Sequence, residues 1–449
     1  MIGKMIYTCP GHFQSEERIF PALPVPGASM LSVSEESAGS GCSFGVAITP
    51  SSCYELMQMD PEKRAVLLRQ IYGREGLGLS IGRLCIGSCD YSPELYSYDD
   101  VPFDTALTHF SVRRDEAYVI PMIREILAVN PDLTLFASPW SPPFWMKTGG
   151  SMCGGYMREA FLDCYAEYIV KFIRAYAEYG IRISAVTPQN EPNTQENGRM
   201  PACIWHPETE AKFIGLLKEK FTATGLDVKI WMYDHNFADV SRIQWSLRNC
   251  EGLREHCDGI AFHYYHGDLE DTRILREQFP ELELHFTEGG PRLNDHYDSD
   301  WCKWGLMAVK ALNTGYRSFT GWNLMLNELG GPNIGPFSGI CGGFVTFDHR
   351  TKELSFSGQY KAFSHIVPYL TPGASLYPVS VRETYRFDMG KYPNGTHAVE
   401  GTVIECGAEK TAAVLINPNS HAVQAEINLG GALWYVDLQA DSISTLIVS

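Results

Sequence analysis

Short apolar runs, with amphipathic helical segments between several of them, recur along this chain, and few folds accommodate eight such runs in succession. Strand-like runs are read at Ser43–Ile48, Leu79–Ile86, Leu133–Trp140, Ile183–Pro188, Val228–Tyr233, Gly259–Tyr265, Leu282–Thr287 and Tyr316–Asn323. Helical periodicity falls between them at Pro61–Tyr72, Glu116–Val129, Ala160–Tyr179, Pro207–Thr222 and Trp301–Asn313. The clearest is Ala160–Tyr179, where Phe161, Tyr165, Ile169, Phe172, Ile173 and Tyr176 step by three and four to make one apolar stripe, and Gly180 ends it. Eight such strands over about 320 residues predict an α/β fold, a (β/α)8 TIM barrel. A doubly wound open sheet is the competing α/β architecture, but no GxGxxG or Walker sequence supports it.

The texture changes after Phe363. Short strand candidates follow at Ser380–Asp388, Ala398–Cys406, Thr411–Asn417, Ala422–Leu429, Leu433–Leu438 and Ser442–Val448, with turns such as Pro393-Asn394-Gly395 between them. The expected organisation is a barrel over 41–366 and an accessory β-sandwich over 367–449. Residues 1–40 are too few for a domain and are expected to add strands to the sandwich.

Charge narrows the partners. The formal net charge is −17, which repels phosphate backbones and anionic lipid, so nucleic acid is not expected as a partner. No run reaches the roughly 18 apolar residues of a membrane span. The N-terminus Met-Ile-Gly-Lys-Met-Ile-Tyr-Thr-Cys-Pro lacks the apolar core of a signal peptide, which predicts a cytoplasmic chain. The 13 cysteines are odd in number and scattered without metal-ligand spacing, so free buried thiols are expected.

In a barrel, chemistry sits where strands end and βα loops begin. The fourth strand ends Thr187-Pro188-Gln189-Asn190-Glu191-Pro192, and the seventh ends Phe286-Thr287-Glu288-Gly289-Gly290. Either glutamate alone reads equally well as a solvated loop carboxylate. Together they lie across one barrel mouth, where two carboxyls can flank a glycosidic bond, one donating a proton and the other attacking the anomeric carbon. Arg83, inside the second strand, should point into the barrel and needs a carboxylate there, for which Glu288 is the candidate. Asp234-His235-Asn236 after the fifth strand is read either as part of the site or as a turn.

Several segments carry a resemblance. Ser88-Cys89-Asp90-Tyr91-Ser92, Ala137-Ser138-Pro139-Trp140-Ser141-Pro142-Pro143-Phe144-Trp145-Met146-Lys147, Gln189-Asn190-Glu191-Pro192, His263-Tyr264-Tyr265, Thr287-Glu288, and Trp322-Asn323-Leu324 with Gly330-Gly331-Pro332-Asn333 are together similar to glycoside hydrolase family 30, the glucosylceramidase-like retaining enzymes. The resemblance runs from about Ser40 to the C-terminus. It implies Glu191 as acid/base and Glu288 as nucleophile, Asp90 on sugar hydroxyls, Trp140 and Trp322 as aromatics of the sugar pocket, Asn190 on the 2-hydroxyl, Tyr265 on the nucleophile, and Asn333 in the substrate-binding loop. His263 reads equally as a barrel-core histidine or a site residue. The family implies no cofactor and no metal. The chain departs from the family at Ser43-Phe44-Gly45-Val46-Ala47 and after Asn333, where Ile334-Gly335-Pro336-Phe337-Ser338-Gly339 follows, so the sugar is the least determined part.

The expected function is exo-acting hydrolysis of β-glucosides, of the β-glucosidase or glucosylceramidase type, on a β-linked glucoside or oligosaccharide. A β-1,6-glucanase, β-xylosidase or β-fucosidase is the alternative within the family. A non-catalytic carbohydrate-binding barrel would be expected to have lost one of the two carboxylates. A metal-dependent hydrolase would cluster groups such as His263, His266 and Asp234.

Overall fold

The computed structural model describes residues 2–194, 198–381, 398–407 and 410–449. They form two units: Phe44–Asn294 with Ser318–Ser355, and Met1–Ser43 with Asp295–Arg317 and Phe356–Ser449.

The first unit is built on a closed parallel barrel of eight strands: β1 (Ser43–Ala47), β2 (Ile81–Ile86), β3 (Thr134–Pro139), β4 (Ala185–Val186), β5 (Lys229–Asn236), β6 (Gly259–His263), β7 (Glu283–Glu288) and β8 (Ser318–Gly321), each paired with its neighbours in sequence. The α/β barrel read from the repeating pattern is therefore present. Its helices start and stop where local chemistry dictates. Asp60 caps Pro61–Tyr72, its carboxylate accepting from the backbone N–H groups of Glu62 and Lys63, with Pro61 at the first turn where no N–H is needed. Pro207–Thr224 ends at Gly225, whose φ of 69° is the left-handed cap that glycine adopts most readily. Among the described residues no helix is long and apolar enough to cross a membrane.

The strands differ from expectation mainly at their ends. The fourth is only Ala185–Val186, because Thr187 onward already turns toward the loop. The sixth stops at His263, leaving Tyr265 in the loop beyond it. The fifth runs on to Asn236, so Asp234-His235-Asn236 is strand rather than turn.

That longer strand contains a register shift. Ala261 on β6 pairs with Tyr233, but Phe262 pairs with His235, so Asp234 is an extra residue. Tyr233 and Asp234 take φ of 77° and 55°. A bulge of this kind re-aims side chains. Strict alternation from inward-facing Trp231 would send Asp234 outward, whereas the shift turns it into the barrel. A second shift, where Phe262 and His263 pair with Phe286 and Glu288, makes Thr287 the extra residue of β7.

The second unit is a ten-stranded sheet that folds over on itself. The N-terminal strand Gly3–Cys9 pairs with Ser442–Val448, and Ser29–Val33 pairs with Ser375–Val381 and Val423–Leu429. N- and C-terminal segments thus share the accessory sandwich. Trp434, from Ala432–Leu438 at one end of the sheet, lies against Gly3 near the other, where a Cβ would come within 2.7 Å of the indole. Met5, Leu31, Val403, Leu415, Ile427 and Leu446 fill the core between the layers.

Helix Trp301–Thr314, expected within the barrel span, belongs to this unit instead. Gly305 packs on Ile416 and Ile443, and the Cys302 thiol donates to the carbonyls of Asn417 and Ser442. Of the strand expected at Ser380–Asp388 the described part, Ser380–Val381, ends the strand Ser375–Val381. Residues 382–388 and the turn expected at Pro393-Asn394-Gly395 lie outside the described residues.

Candidate active site

Arg83 organises the open end of the barrel. It is fully buried on β2, and every donor group is engaged. Nε donates to Ser138 Oγ at 3.2 Å, one terminal nitrogen to Glu288 Oε2 at 2.5 Å, and the other to Asn190 Oδ1 and Asp234 Oδ2, both at 2.8 Å. A buried guanidinium is tolerable only with such pairing. The expected partner Glu288 is there, and Asp234 is a second.

Asp234 is the residue the sequence left undecided. Its carboxylate accepts from Arg83, Ser138 (2.9 Å) and Thr187 (2.7 Å) through Oδ2, and from Thr287 (2.7 Å) through Oδ1, with His263 Nε2 at 3.1 Å. Burial opposes its ionisation, but Arg83 and the hydrogen bonds hold the carboxyl well below the usual range.

His263 stands between carboxylates. Nδ1 is 3.1 Å from Glu191 Oε1 and Nε2 is 3.8 Å from Glu288 Oε2, besides the contact with Asp234. Burial disfavours the imidazolium, yet the Glu288 charge and the bonds to Asp234 and Glu191 outweigh it and push the pKa up to about 9.

Glu191 and Glu288 converge from β4 and β7. One ligand atom each from Glu191, His263 and Glu288 lies within 4.8 Å of the others. Tyr265 donates to Glu288 Oε1 at 2.8 Å. Glu191 takes a φ of 51°, unusual for a side chain of this size, and its N–H is held by the Asp234 carbonyl at 3.0 Å. The β5 bulge therefore fixes both the aspartate and the backbone of the acid candidate.

The two glutamates titrate together. Burial raises both. At Glu191, the His263 hydrogen bond and the charges of His263 and Arg83 prevail and bring the carboxyl below its usual range. At Glu288, burial and then the Glu191 charge outweigh His263, Arg83 and Tyr265, and the carboxyl sits above it. Arg83 and the imidazolium supply two positive charges, and Asp234 balances one.

The remaining candidates surround this centre. Asp90 is buried; burial and then the charges of Glu288 and Glu191 push its carboxyl well above the usual range. The loop after Asn333 packs against it: Ile334 N–H donates to the Asp90 carbonyl at 2.8 Å, and a Cβ on Gly335 would come within 2.9 Å of the Asp90 Cβ. Asn333 Oδ1 accepts from Gly335, and its Nδ2 has no partner among the described residues. Trp140 and Trp322 pack on each other at 5.3 Å, with the Arg83 guanidinium 4.7 and 5.5 Å from their rings. They are 1% and 3% exposed, so most of the ring area expected to face sugar is spent on each other and on Cys85, Cys89 and Tyr91. Asn190 gives its carbonyl oxygen to Arg83, which leaves its amide NH2 to donate to a hydroxyl.

The three clustered ligand atoms of Glu191, His263 and Glu288 suit a proton better than a metal. Both His263 nitrogens face carboxylates, and an imidazolium has no lone pair to give. Arg83 already supplies positive charge to Glu288. His266 is not part of the cluster.

Sequence reasoning passed over Ser138, Thr187 and Thr287, which surround Asp234. The signal was available: each lies two residues beyond Phe136, Ala185 or His285 on its strand, the same step that separates Ile81 from Arg83.

Comparison with known proteins agrees with this geometry. Residues 42–340 match the glycosyl hydrolase family 30 TIM-barrel domain. The mouse lysosomal acid glucosylceramidase is 31% identical over 317 residues, covering 65% of this chain and 60% of its own length. An endo-1,6-beta-D-glucanase of Neurospora crassa is 26% identical over 411 residues, 89% of this chain and 81% of that one. The solved structure of the endo-beta1,6-glucanase BT3312 superposes with a TM-score of 0.84 at 25% identity, over 100% of this chain and 99% of its own. With a barrel matched over most of its length and relatives of one chemistry, the chain belongs to glycosyl hydrolase family 30 and is a glycoside hydrolase.

Proposed function

We propose that the chain is a retaining β-glycosidase cleaving β-glucosidic bonds, with Glu288 as nucleophile and Glu191 as acid/base. The observation that carries this is the spacing of the two carboxylates, with oxygens within 4.8 Å. Retaining enzymes hold the pair about 5–5.5 Å apart, whereas inverting enzymes need about 6.5–9.5 Å for a water.

In the first step a Glu288 oxygen attacks the anomeric carbon while Glu191 protonates the departing oxygen, giving a glycosyl ester and a free alcohol. In the second, Glu191, now a carboxylate, takes a proton from a water that attacks the same carbon, and Glu288 leaves as the anion. Arg83 and Tyr265 donate to Glu288 in both, and their hydrogen bonds favour its anionic form. The first step needs Glu191 protonated and Glu288 ionised, and His263 lies near both carboxylates.

The leading specificity is exo-acting β-glucosidase or glucosylceramidase type. Endo-1,6-β-glucanase action is the second reading, favoured by the relatives aligned over most of their length. Glu288→Gly should be rescued by azide to give an α-glycosyl azide; a β-azide would contradict the two-step route. Aryl β-glucoside, xyloside, fucoside and galactoside, with β-1,6-glucan and glucosylceramide, should separate the specificities.

A further inference from the structure

The side of the site next to Glu191 carries polar groups that the chemistry above does not use. His235 Nε2 lies 3.8 Å from Glu191 Oε1 and 3.2 Å from Asn236 Nδ2. His235 and Asn236 are 7% and 8% exposed, yet His235 Nδ1 and Asn236 Oδ1 have no hydrogen-bond partner among the described residues. Buried polar atoms are nearly always paired, and an unpaired one is costly. Two on adjacent residues beside the proton donor mark a place where a ligand completes the bonding. Burial holds His235 below its usual pKa, so its neutral ring offers one donor and one acceptor. A sugar hydroxyl matches both roles, and an alkyl chain matches neither.

A second observation lies on the segment that follows Glu191. Trp205 N–H donates to the Pro192 carbonyl at 2.9 Å, and the next residue, His206, stacks on Tyr156 at 5.5 Å with the rings 18° apart. Tyr156 is 42% exposed. An exposed flat ring pair tied to the residue after the acid is the kind of surface on which a pyranose stacks.

We propose that His235 and Asn236 form a leaving-group subsite that binds a second sugar unit, with Tyr156 as an outer stacking surface, so that the substrate is a β-linked oligosaccharide. This rests on Glu191 being the acid, because the departing oxygen must face the proton donor.

The test compares kcat/KM of the full chain on gentiobiose and gentiotriose with that on octyl β-glucoside. Both kinds of substrate release an alkyl oxygen, so their ratio isolates recognition of the second sugar from acid strength. The wild type should favour the disaccharide. His235→Phe/Asn236→Leu should lower the disaccharide-to-octyl ratio about tenfold or more, chiefly through KM. His235→Gln, which keeps a donor and an acceptor, should retain most of the ratio. Tyr156→Ala should lower the trisaccharide rate severalfold relative to the disaccharide. If the double variant fails to fold, His235→Phe and Asn236→Leu singly carry the test, and unchanged ratios in both would overturn the subsite. Preference of the wild type for octyl β-glucoside, or an unchanged ratio in a folded double variant, would overturn the subsite. Failure to cleave any aryl β-glycoside, xyloside, fucoside and galactoside included, would instead overturn the assignment of Glu191 and Glu288, and the subsite with it.

Discussion

Two layers of the same barrel face opposite demands. Toward the N-terminal strand ends, Ile81, Phe136, Ala185, Trp231 and Ala261 make an apolar plug, each no more than 4% exposed. One step further along the same strands, Arg83, Ser138, Thr187, Asp234 and His263 make a buried network of charges and hydroxyls. Both layers exclude water. The lower one gains stability directly from burying apolar area. The upper one sets large desolvation costs against ion pairing, and a buried ion pair is often no more stable than an apolar replacement. The lower layer needs only volume, while the upper needs each partner in place.

That contrast can be broken from the top down. Glu288→Gln should lower kcat on aryl β-glycosides by roughly 10^4-fold or more, while Glu191→Gln should cost about 10²–10⁴-fold on alkyl glycosides and far less on a 2,4-dinitrophenyl glycoside, which needs no acid. Equal loss on both substrates would remove the acid role. Next come two variants of comparable stability cost. Asp234→Asn leaves Arg83 short of charge and should lose about 3–5 kcal/mol in denaturant unfolding, together with most activity. Phe136→Ala should lose about 3–5 kcal/mol by leaving a cavity, yet keep kcat per folded molecule. Equal loss of kcat would mean the two layers are not functionally separate.

The smallest effect is pH-linked. His263 is protonated in the fold up to about pH 9, against about 6.5 when unfolded. Its contribution is therefore fully present below about pH 6.5 and lost as pH rises through 9, amounting to about 3 kcal/mol at most. Melting temperature measured across that window should fall in the wild type and stay flatter in His263→Gln. Matching slopes would place the raised pKa elsewhere.

The barrel was legible because its signal repeats: eight apolar runs separated by helical periods leave few alternatives. Both glutamates could be located because each stands where an apolar run stops. Arg83 was legible as well, a lone charge inside an apolar strand that demands a partner. Asp234 was not, since counting by twos from Trp231 points it outward, and a register shift depends on the neighbouring strand rather than on local residue preference. The buried state of Trp140 and Trp322 was also out of reach, because a tryptophan at a strand end reads alike whether its face meets a ligand or another ring. Helix Trp301–Thr314 kept its periodicity, but periodicity does not say which sheet its stripe will cover.

The bulge at Tyr233–Asp234 acts on β5 as a frameshift acts on a message. Upstream of it Trp231 faces in; at the bulge the inward position passes to Asp234. Pairing the strand at its present length without the bulge would leave every side chain chemically intact and still turn the aspartate out of the barrel, freeing the carbonyl that holds Glu191. Any graft or chimera that respects this enzyme's residues must therefore also preserve the register of that strand, because register, and not identity alone, encodes which carboxylate reaches Arg83.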